Sequence, residues 1–301
     1  MPRVSVIIPT YGRPELLPRA IASVLCQTFE DFELLIIDDA SQDTTGQVVK
    51  SISDERIRYC RNEINKGGAA SRNRGIREAL SSYIAFLDDD DEWLPEKLEL
   101  QVALLDQSPP EVGGIYTGYE RIMSITGESL GKTLPTKRGD LSSELLLSNP
   151  LAGTSALLLR KECFEVSGLF DEELPSYQDY DLWIRISKAF EFDYVNKVLY
   201  RYYVHGNKIW TNPQALSKGL DIMVKKYCTT DFAVRKNFSS QFLLLGVMFC
   251  YGGNLEQGRK AYWTAIRLNP LEIRKYFNLF LSLWGEEIFK KNQRIETEIF
   301  A

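Results

Sequence analysis

Apolar positions in the first ninety residues follow two alternating rhythms. Residues 4–9 are a continuous β-branched and apolar run, which predicts a strand covered on both faces. Across residues 14–27, Leu16, Leu17, Ile21, Val24 and Leu25 recur at helical spacing. A second apolar run at 32–37 stops abruptly at Asp38 and Asp39. A helix over 44–53 follows, with Ser41 or Asp43 as its cap. A short strand over 56–60, a helix over 68–80 and a buried strand over 82–87 complete the series, and the last strand runs into Asp88, Asp89, Asp90 and Asp91. This alternation predicts an α/β architecture, Rossmann-like, with a mostly parallel sheet and helices on both faces. Such sheets bind ligands beyond the carboxyl ends of their strands. Thr10 and Tyr11, Asp38 and Asp39, and the four aspartates all sit at such ends.

After residue 111 the pattern turns to short mixed segments. Strands are expected at 115–119 and 155–160, a helix at 182–190 and a Tyr-rich strand at 198–204. From residue 212 the period is helical throughout, which predicts a main domain over 1–211 followed by a helical annex over 212–301. Within the annex, the small residues and turn signals between Leu245 and Pro270 have the spacing of one tetratricopeptide-like hairpin. Residues 271–284 mix charge with aromatic side chains. Their apolar face suits either an interfacial helix or packing on the rest of the annex, and packing is the expectation.

Composition narrows the function classes. The 301 residues are 44% hydrophobic and 12% aromatic, enough to build a core, so intrinsic disorder is excluded. A net charge of -5 repels a phosphate backbone on average and argues against a nucleic-acid partner. The five cysteines are scattered with no CxxC pair, which favours a reducing, cytoplasmic setting over a disulfide framework or a zinc site. The apolar run at the start is too short for a signal peptide, and the longest one, around 242–251, falls short of the ~20 residues a bilayer requires. A soluble chain is the expectation.

Four segments can carry chemistry. Consecutive carboxylates at Asp88 to Asp91 repel one another unless a cation is present, and a hard divalent ion takes a few such ligands together with substrate phosphates. The competing reading is an acidic turn capping the helix that starts near Pro95. Asn65 to Gly75 puts glycines, small residues, Arg72 and Arg74 at a helix start, an arrangement that suits phosphates. No GxGxxG follows the first strand, which argues against a dinucleotide site. Gln178-Asp179-Tyr180-Asp181 places two carboxylates in the first turn of a helix, either as caps or with one as a general base. His205 is the only histidine: a surface residue or a metal ligand. No Gly-x-Ser-x-Gly elbow occurs.

Taken in order, these segments resemble the family 2 glycosyltransferases, inverting enzymes of the GT-A fold, over residues 4 to 205. The opening strand with Pro9, Thr10, Tyr11 and Arg13 is similar to the family's base-binding loop, and Asp39 to its base contact. Gly68 and Arg72 fall in the segment near the nucleotide. The run from Ala85 to Asp91 resembles the Asp-x-Asp motif, which implies Asp88 as a ribose contact, Asp89 beside the nucleotide and Asp90 as a metal ligand. Asp179 takes the general-base place, and His205 that of a histidine near metal and diphosphate. Two positions depart from the pattern: Asp89 stands where a small residue is usual, and Gln178 where Glu is usual. The resemblance implies transfer of a sugar from a nucleoside diphosphate, UDP above all, to a glycan or lipid-linked acceptor hydroxyl. Its cofactor would be Mn²⁺ or Mg²⁺, and it would act in the cytoplasm, at or near the inner face of the membrane. The alternatives are a non-catalytic nucleotide-sugar binder or scaffold working through its annex, and, further behind, a metal-dependent phosphohydrolase.

Overall fold

The computed structural model describes residues 1–205, 212–287 and 289. The last part of the expected annex, 290–301, lies outside the described residues. The chain divides into two compact units, one of residues 1–173 and 178–206, the other of residues 174–177 and 207–301.

The first unit opens β1 (Val4–Thr10), α1 (Leu17–Leu25), β2 (Phe32–Asp38), α2 (Thr45–Ser51), β3 (Ile57–Arg61), α3 (Gly68–Glu78) and β4 (Tyr83–Phe86). Every residue of β1, β2 and β4 is buried, as unbroken apolar runs require when both sheet faces are covered. Then come β5 (Glu92–Trp93), α4 (Lys97–Gln107), β6 (Val112–Met123), β7 (Ser129–Thr133), β8 (Leu158–Arg160), α5 (Glu162–Ser167), α6 (Gln178–Ile186) and β9 (Glu191–Val204). Among the described residues these strands form one sheet in the order β3-β2-β1-β4-β8-β6-β9-β5, with β7 on β6.

The parallel pairing read from the sequence holds for β3-β2-β1-β4. Beyond β4 the sheet is mixed: β8 is antiparallel to both β4 and β6, while β6 and β9 run parallel. Strand order reverses at β1, whose neighbours are β2 on one side and β4 on the other, so the crevice of this topology opens at the ends of β1 and β4.

Local differences from the sequence reading have physical causes. The strand expected over 155–160 is a 3-10 turn at Thr154–Ala156 followed by the short β8. The turn frees the Ser155 hydroxyl and carbonyl for side-chain partners, described below. Polar residues Glu191, Asp193, Asn196 and Lys197 concealed the first half of β9, which pairs with β6 through several register shifts. The helix expected over 182–190 starts at Gln178, directly after Tyr177 in a left-handed conformation (φ 61°), and ends at Ile186.

Helix α3 lies close against β1. A Cβ on Gly75 would come within 2.5 Å of the Ile7 side chain, so only glycine permits this approach. Lys97 is fully enclosed; its ammonium donates to Gln101 Oε1 at 2.7 Å and stands 4.0 Å from the centre of the Trp93 ring. Burial pushes its pKa well down.

The second unit contains α7 (Pro213–Tyr227), α8 (Phe232–Tyr251), α9 (Leu255–Leu268) and α10 (Ile273–Leu283). Helices α8 and α9 pack closely: a Cβ on Gly246 would lie 2.4 Å from the Tyr262 ring. Asn212, Asp231 and Asn254 cap the first three helices with side-chain oxygens. Helix α10 overturns the expectation that its apolar face packs inward. Lys275, Asn278 and Ser282 are buried, while Ile273, Tyr276, Phe277 and Phe280 are exposed. Among the described residues no helix is long and apolar enough to cross a membrane.

Gly75→Ala forces the α3–β1 contact apart and is expected to cost roughly 1–3 kcal/mol. Urea denaturation should show a lower midpoint at unchanged slope, and in an Ile7→Ala background the same substitution should cost less than half as much.

Candidate active site

The four aspartates after β4 do not act as a block; each carboxyl meets different partners. Asp88 Oδ1 accepts from Arg72 Nη2 at 2.6 Å and from Thr154 Oγ1 at 3.1 Å. Asp89 accepts from Thr10 Oγ1 at 2.7 Å and from Arg13 Nη1 at 2.8 Å. Asp90 Oδ2 lies 3.0 Å from Arg13 Nη1 and 2.7 Å from His205 Nε2. Asp91 accepts from Ser155 Oγ at 2.9 Å and from the Tyr203 amide at 3.4 Å. The Thr10–Asp89 bond closes the switch point itself, joining the end of β1 to the end of β4.

The capping alternative for these residues fails. Ten residues separate the end of β4 from the start of helix α4, which has Glu96 at its N-cap position and no side-chain cap bond. The odd residue of the motif also has a place. Asp89 is buried and turned toward β1, and burial, partly offset by Arg13, pushes its carboxyl up to about 6.

Ligand atoms of Asp88, Asp90 and Asp91 all lie within 4.8 Å of one another, with the His205 imidazole against Asp90. Asp88 thus stands among the candidate ligands, and Asp91, which the sequence reading assigned no role, joins them. This donor set of clustered carboxylate oxygens and one imidazole fits a hard divalent cation, and its three carboxyl groups outnumber the two guanidinium groups that touch it.

Asp39 sits at the carboxyl end of β2, its amide on the Thr10 carbonyl at 2.9 Å. Its carboxylate accepts from Asn62 Nδ2 at 2.7 Å, from the Lys66 amide at 3.0 Å and from the Gly67 amide at 2.7 Å. It thus fixes the chain just ahead of α3, where Gly67 takes φ 87°, a conformation glycine reaches without strain. Gly68, the first residue of α3, leaves room for Arg72: a Cβ there would lie 3.0 Å from Arg72 Nη1. Pro9 is buried within β1, aligned with Ile37, and does not present its ring outward. Tyr11 is half exposed beyond the strand end, and the amide of Gly12 donates to Ser41 Oγ at 2.9 Å.

The two carboxylates of α6 part company. Asp181 is fully buried and takes Arg185 in an ion pair of 2.9 Å. Asp179 accepts from the Tyr180 amide at 2.8 Å. Burial raises its pKa, opposed by that bond and by Arg72, and Asp88 raises it further. Arg72 connects this helix end to the acidic cluster, its other nitrogen lying 3.4 Å from Gln178 Oε1.

Several residues escaped the sequence reading. Arg19 of α1 donates to the Asp90 carbonyl at 2.6 Å while its guanidinium lies 3.5 Å from the centre of the Tyr203 ring, two residues before His205. Ser155 serves two masters, accepting from the Asp88 amide at 3.2 Å and donating to Asp91, and its carbonyl takes the Trp93 indole N–H. None of these belongs to a motif. A lone hydroxyl pair at Thr154-Ser155 was the only local signal.

With this geometry in hand, the comparison with known proteins is direct. The profile described as "Glycosyl transferase family 2" matches residues 5–165. The chain belongs to the family 2 glycosyltransferases. An "Uncharacterized glycosyltransferase" of Rickettsia felis is 34% identical over 69% of this chain, which spans only 35% of that relative's length. A protein of Escherichia coli named "UDP-Glc:alpha-D-GlcNAc-diphosphoundecaprenol beta-1,3-glucosyltransferase WfgD" is 33% identical over 64% of this chain and 73% of its own. Among solved structures, S. aureus TarS 1-349 in complex with UDP-GlcNAc aligns with a TM-score of 0.62 at 17% identity, covering 95% of this chain and 88% of the other. The mannosyltransferase PcManGT from Pyrobaculum calidifontis, in complex with GDP-Man and Mn²⁺, aligns with a TM-score of 0.57 at 16% identity, covering 99% and 87%. The fold of this glycosyltransferase is GT-A, extended by C-terminal helices.

Asp39→Asn replaces one acceptor oxygen with a donor that faces amide N–H groups. The exchange is expected to cost about 1–3 kcal/mol. Hydrogen exchange should then show lost protection of the Lys66 and Gly67 amides while the amides of β1 and β2 stay protected.

Proposed function

We propose that this family 2 glycosyltransferase is an inverting enzyme that moves a sugar from a nucleoside diphosphate, UDP in first place, to an acceptor hydroxyl during surface-glycan or polysaccharide assembly. The observation that carries the reading is Arg72, which reaches Asp88 with one nitrogen and the Gln178 amide oxygen with another, so that the metal-type carboxylates and the α6 carboxylate share one crevice.

Residues at the strand ends hold the donor. Thr10, Tyr11, Arg13, Asp39 and Gly68 surround the nucleotide, with the exposed Tyr11 ring as a stacking face and the first amides of α3 directed at phosphate. Asp89 acts on the nucleotide indirectly, by fixing Thr10 and Arg13. Asp88, Asp90, Asp91 and His205 would hold a divalent cation, Mn²⁺ or Mg²⁺. When bound, such an ion neutralises charge on the departing diphosphate. Arg72 adds a guanidinium on the same side, where negative charge grows as the anomeric carbon–oxygen bond breaks.

Asp179 receives the proton of the acceptor hydroxyl while that oxygen bonds to the anomeric carbon on the face opposite the leaving group. The bond to the diphosphate breaks with its electron pair, and the single displacement inverts the centre. Partial desolvation makes the ionised carboxylate a stronger base than an exposed one. The WfgD name, with its UDP-glucose donor and diphosphoundecaprenol acceptor, and the UDP-GlcNAc complex of TarS support a UDP-sugar and a lipid-linked acceptor for this chain. The five cysteines, all free, fit work in the cytoplasm beside the membrane.

A thermal-shift panel of nucleoside diphosphates tests the donor. UDP and UDP-sugars should raise the melting temperature with Mn²⁺ or Mg²⁺ present, and EDTA should remove most of the gain. Asp179→Asn should leave UDP binding within a few-fold while slowing transfer by roughly 10²–10⁴-fold. Unchanged turnover would remove Asp179 from the mechanism.

A further inference from the structure

Helix α10 is built the reverse way from a helix packed on a soluble core. Its inward face holds Lys275, Asn278 and Ser282 beside a single buried leucine, Leu281, and Lys275 and Ser282 are tied down by hydrogen bonds. Lys275 Nζ donates to the Asn269 carbonyl at 2.9 Å and pairs with Glu272 at 3.1 Å. The Ser282 hydroxyl donates to the Leu279 carbonyl at 2.6 Å, and the Ser282 carbonyl accepts from Arg259 Nη1 of α9. Turning the helix about its axis would break the bonds to the Asn269 carbonyl and to Arg259 and expose a buried ammonium, so polar contacts help to hold the orientation. Facing water instead are Ile273, Tyr276, Phe277, Phe280, Leu283 and Trp284, spaced i, i+3, i+4, i+7, i+10, i+11 along one stripe and exposed by between 42% and 84%. A contiguous stripe of this kind marks a contact surface, since scattered single apolar residues would not line up at helical spacing.

We infer that this stripe seats the protein on an anionic membrane surface, with α10 lying in the plane of the interface. Two observations favour lipid over a second copy of the chain, and a third fits a helix that lies along the bilayer. Four of the six outward side chains are aromatic, including Tyr276 and Trp284, whose rings settle at the level of lipid headgroups. Residues 212–301 carry 13 Lys and Arg against 8 Asp and Glu, while the whole chain is at -5, so positive charge is concentrated in the part that bears the stripe. A second copy would bring that charge against itself, whereas anionic headgroups attract it. The eleven residues of α10 are also too short to span a bilayer but sufficient to lie along one. The inference stands on the second unit alone and is independent of the chemistry proposed for the first.

The test is co-sedimentation of the full chain with vesicles of phosphatidylcholine mixed with phosphatidylglycerol, and with vesicles of phosphatidylcholine alone. Wild type should sediment with the mixed vesicles, less so with neutral ones, and less again at high salt. The pair Phe277→Ser and Phe280→Ser should lower partitioning on the order of ten-fold or more. Both side chains point outward, so the melting temperature and the UDP-induced shift should stay at wild-type values. Ile125→Ser, an exposed apolar change in the first unit, should leave partitioning unchanged. Wild type that stays in the supernatant with anionic vesicles overturns the inference. So does a double variant that binds as well as wild type. Concentration-dependent dimerisation that the double variant abolishes, without vesicle binding, assigns the stripe to a second copy. If vesicle binding emerges only after deletion of residues 290–301, the chain's own end covers the stripe and the inference likewise fails.

Discussion

Four adjacent carboxylates at the mouth of a buried strand set the terms for the first unit. Like charges at such spacing repel, and moving them out of water raises the cost further, so each must find its own compensation. The chain meets this demand from four separate places: Thr10 and Arg13 at the end of β1, Arg72 on α3, Thr154 and Ser155 in the 3-10 turn, and Tyr203 with His205 at the end of β9. Elements far apart in sequence are thereby drawn to one point. The leftover negative charge is concentrated on Asp88, Asp90 and Asp91, whose carboxylate oxygens lie within 4.8 Å of one another as candidate ligands.

Topology explains why the point lies where it does. With β1 flanked by β2 and β4, the connections leave on opposite sides and open a crevice at the strand ends. Asp89 and Thr10 bolt the two sides of that crevice together, and Asp39 holds the entry to α3 beside it. A network of charge-assisted hydrogen bonds of this density leaves little freedom for the side chains that line the crevice, which is the condition for binding a charged donor without large rearrangement. Arg19 extends the same logic outward, resting on Tyr203 while gripping the Asp90 backbone, so that a single helix touches both the acidic segment and the strand that leads to His205.

The second unit obeys a different constraint. Its helices α8 and α9 meet through glycines at close range and bury aromatic side chains in the usual sense. In α10 Lys275 and Ser282 are hydrogen-bonded on the inner face, while most of the hydrophobic side chains are left facing out. Periodicity specifies that a helix has two faces, but which face turns inward depends on the surface it meets.

The order of strands and helices through β4, and the family to which the chain belongs, were legible from the sequence alone. Buried strands must be apolar and their helices amphipathic whatever surrounds them, and the motif residues at the strand ends are fixed by local chemistry. What the sequence left open was decided by contacts between distant residues. Tertiary packing turned Asp89 inward toward Thr10 and left Asp91 among the candidate ligands. The same packing made the second half of the sheet mixed, recruited Thr154, Ser155, Arg19 and Tyr203 to the site, and gave Asp181 to Arg185 while Asp179 stayed within reach of Arg72. Four aspartates in a row look alike as letters because the fields that separate them come from side chains that only folding brings near.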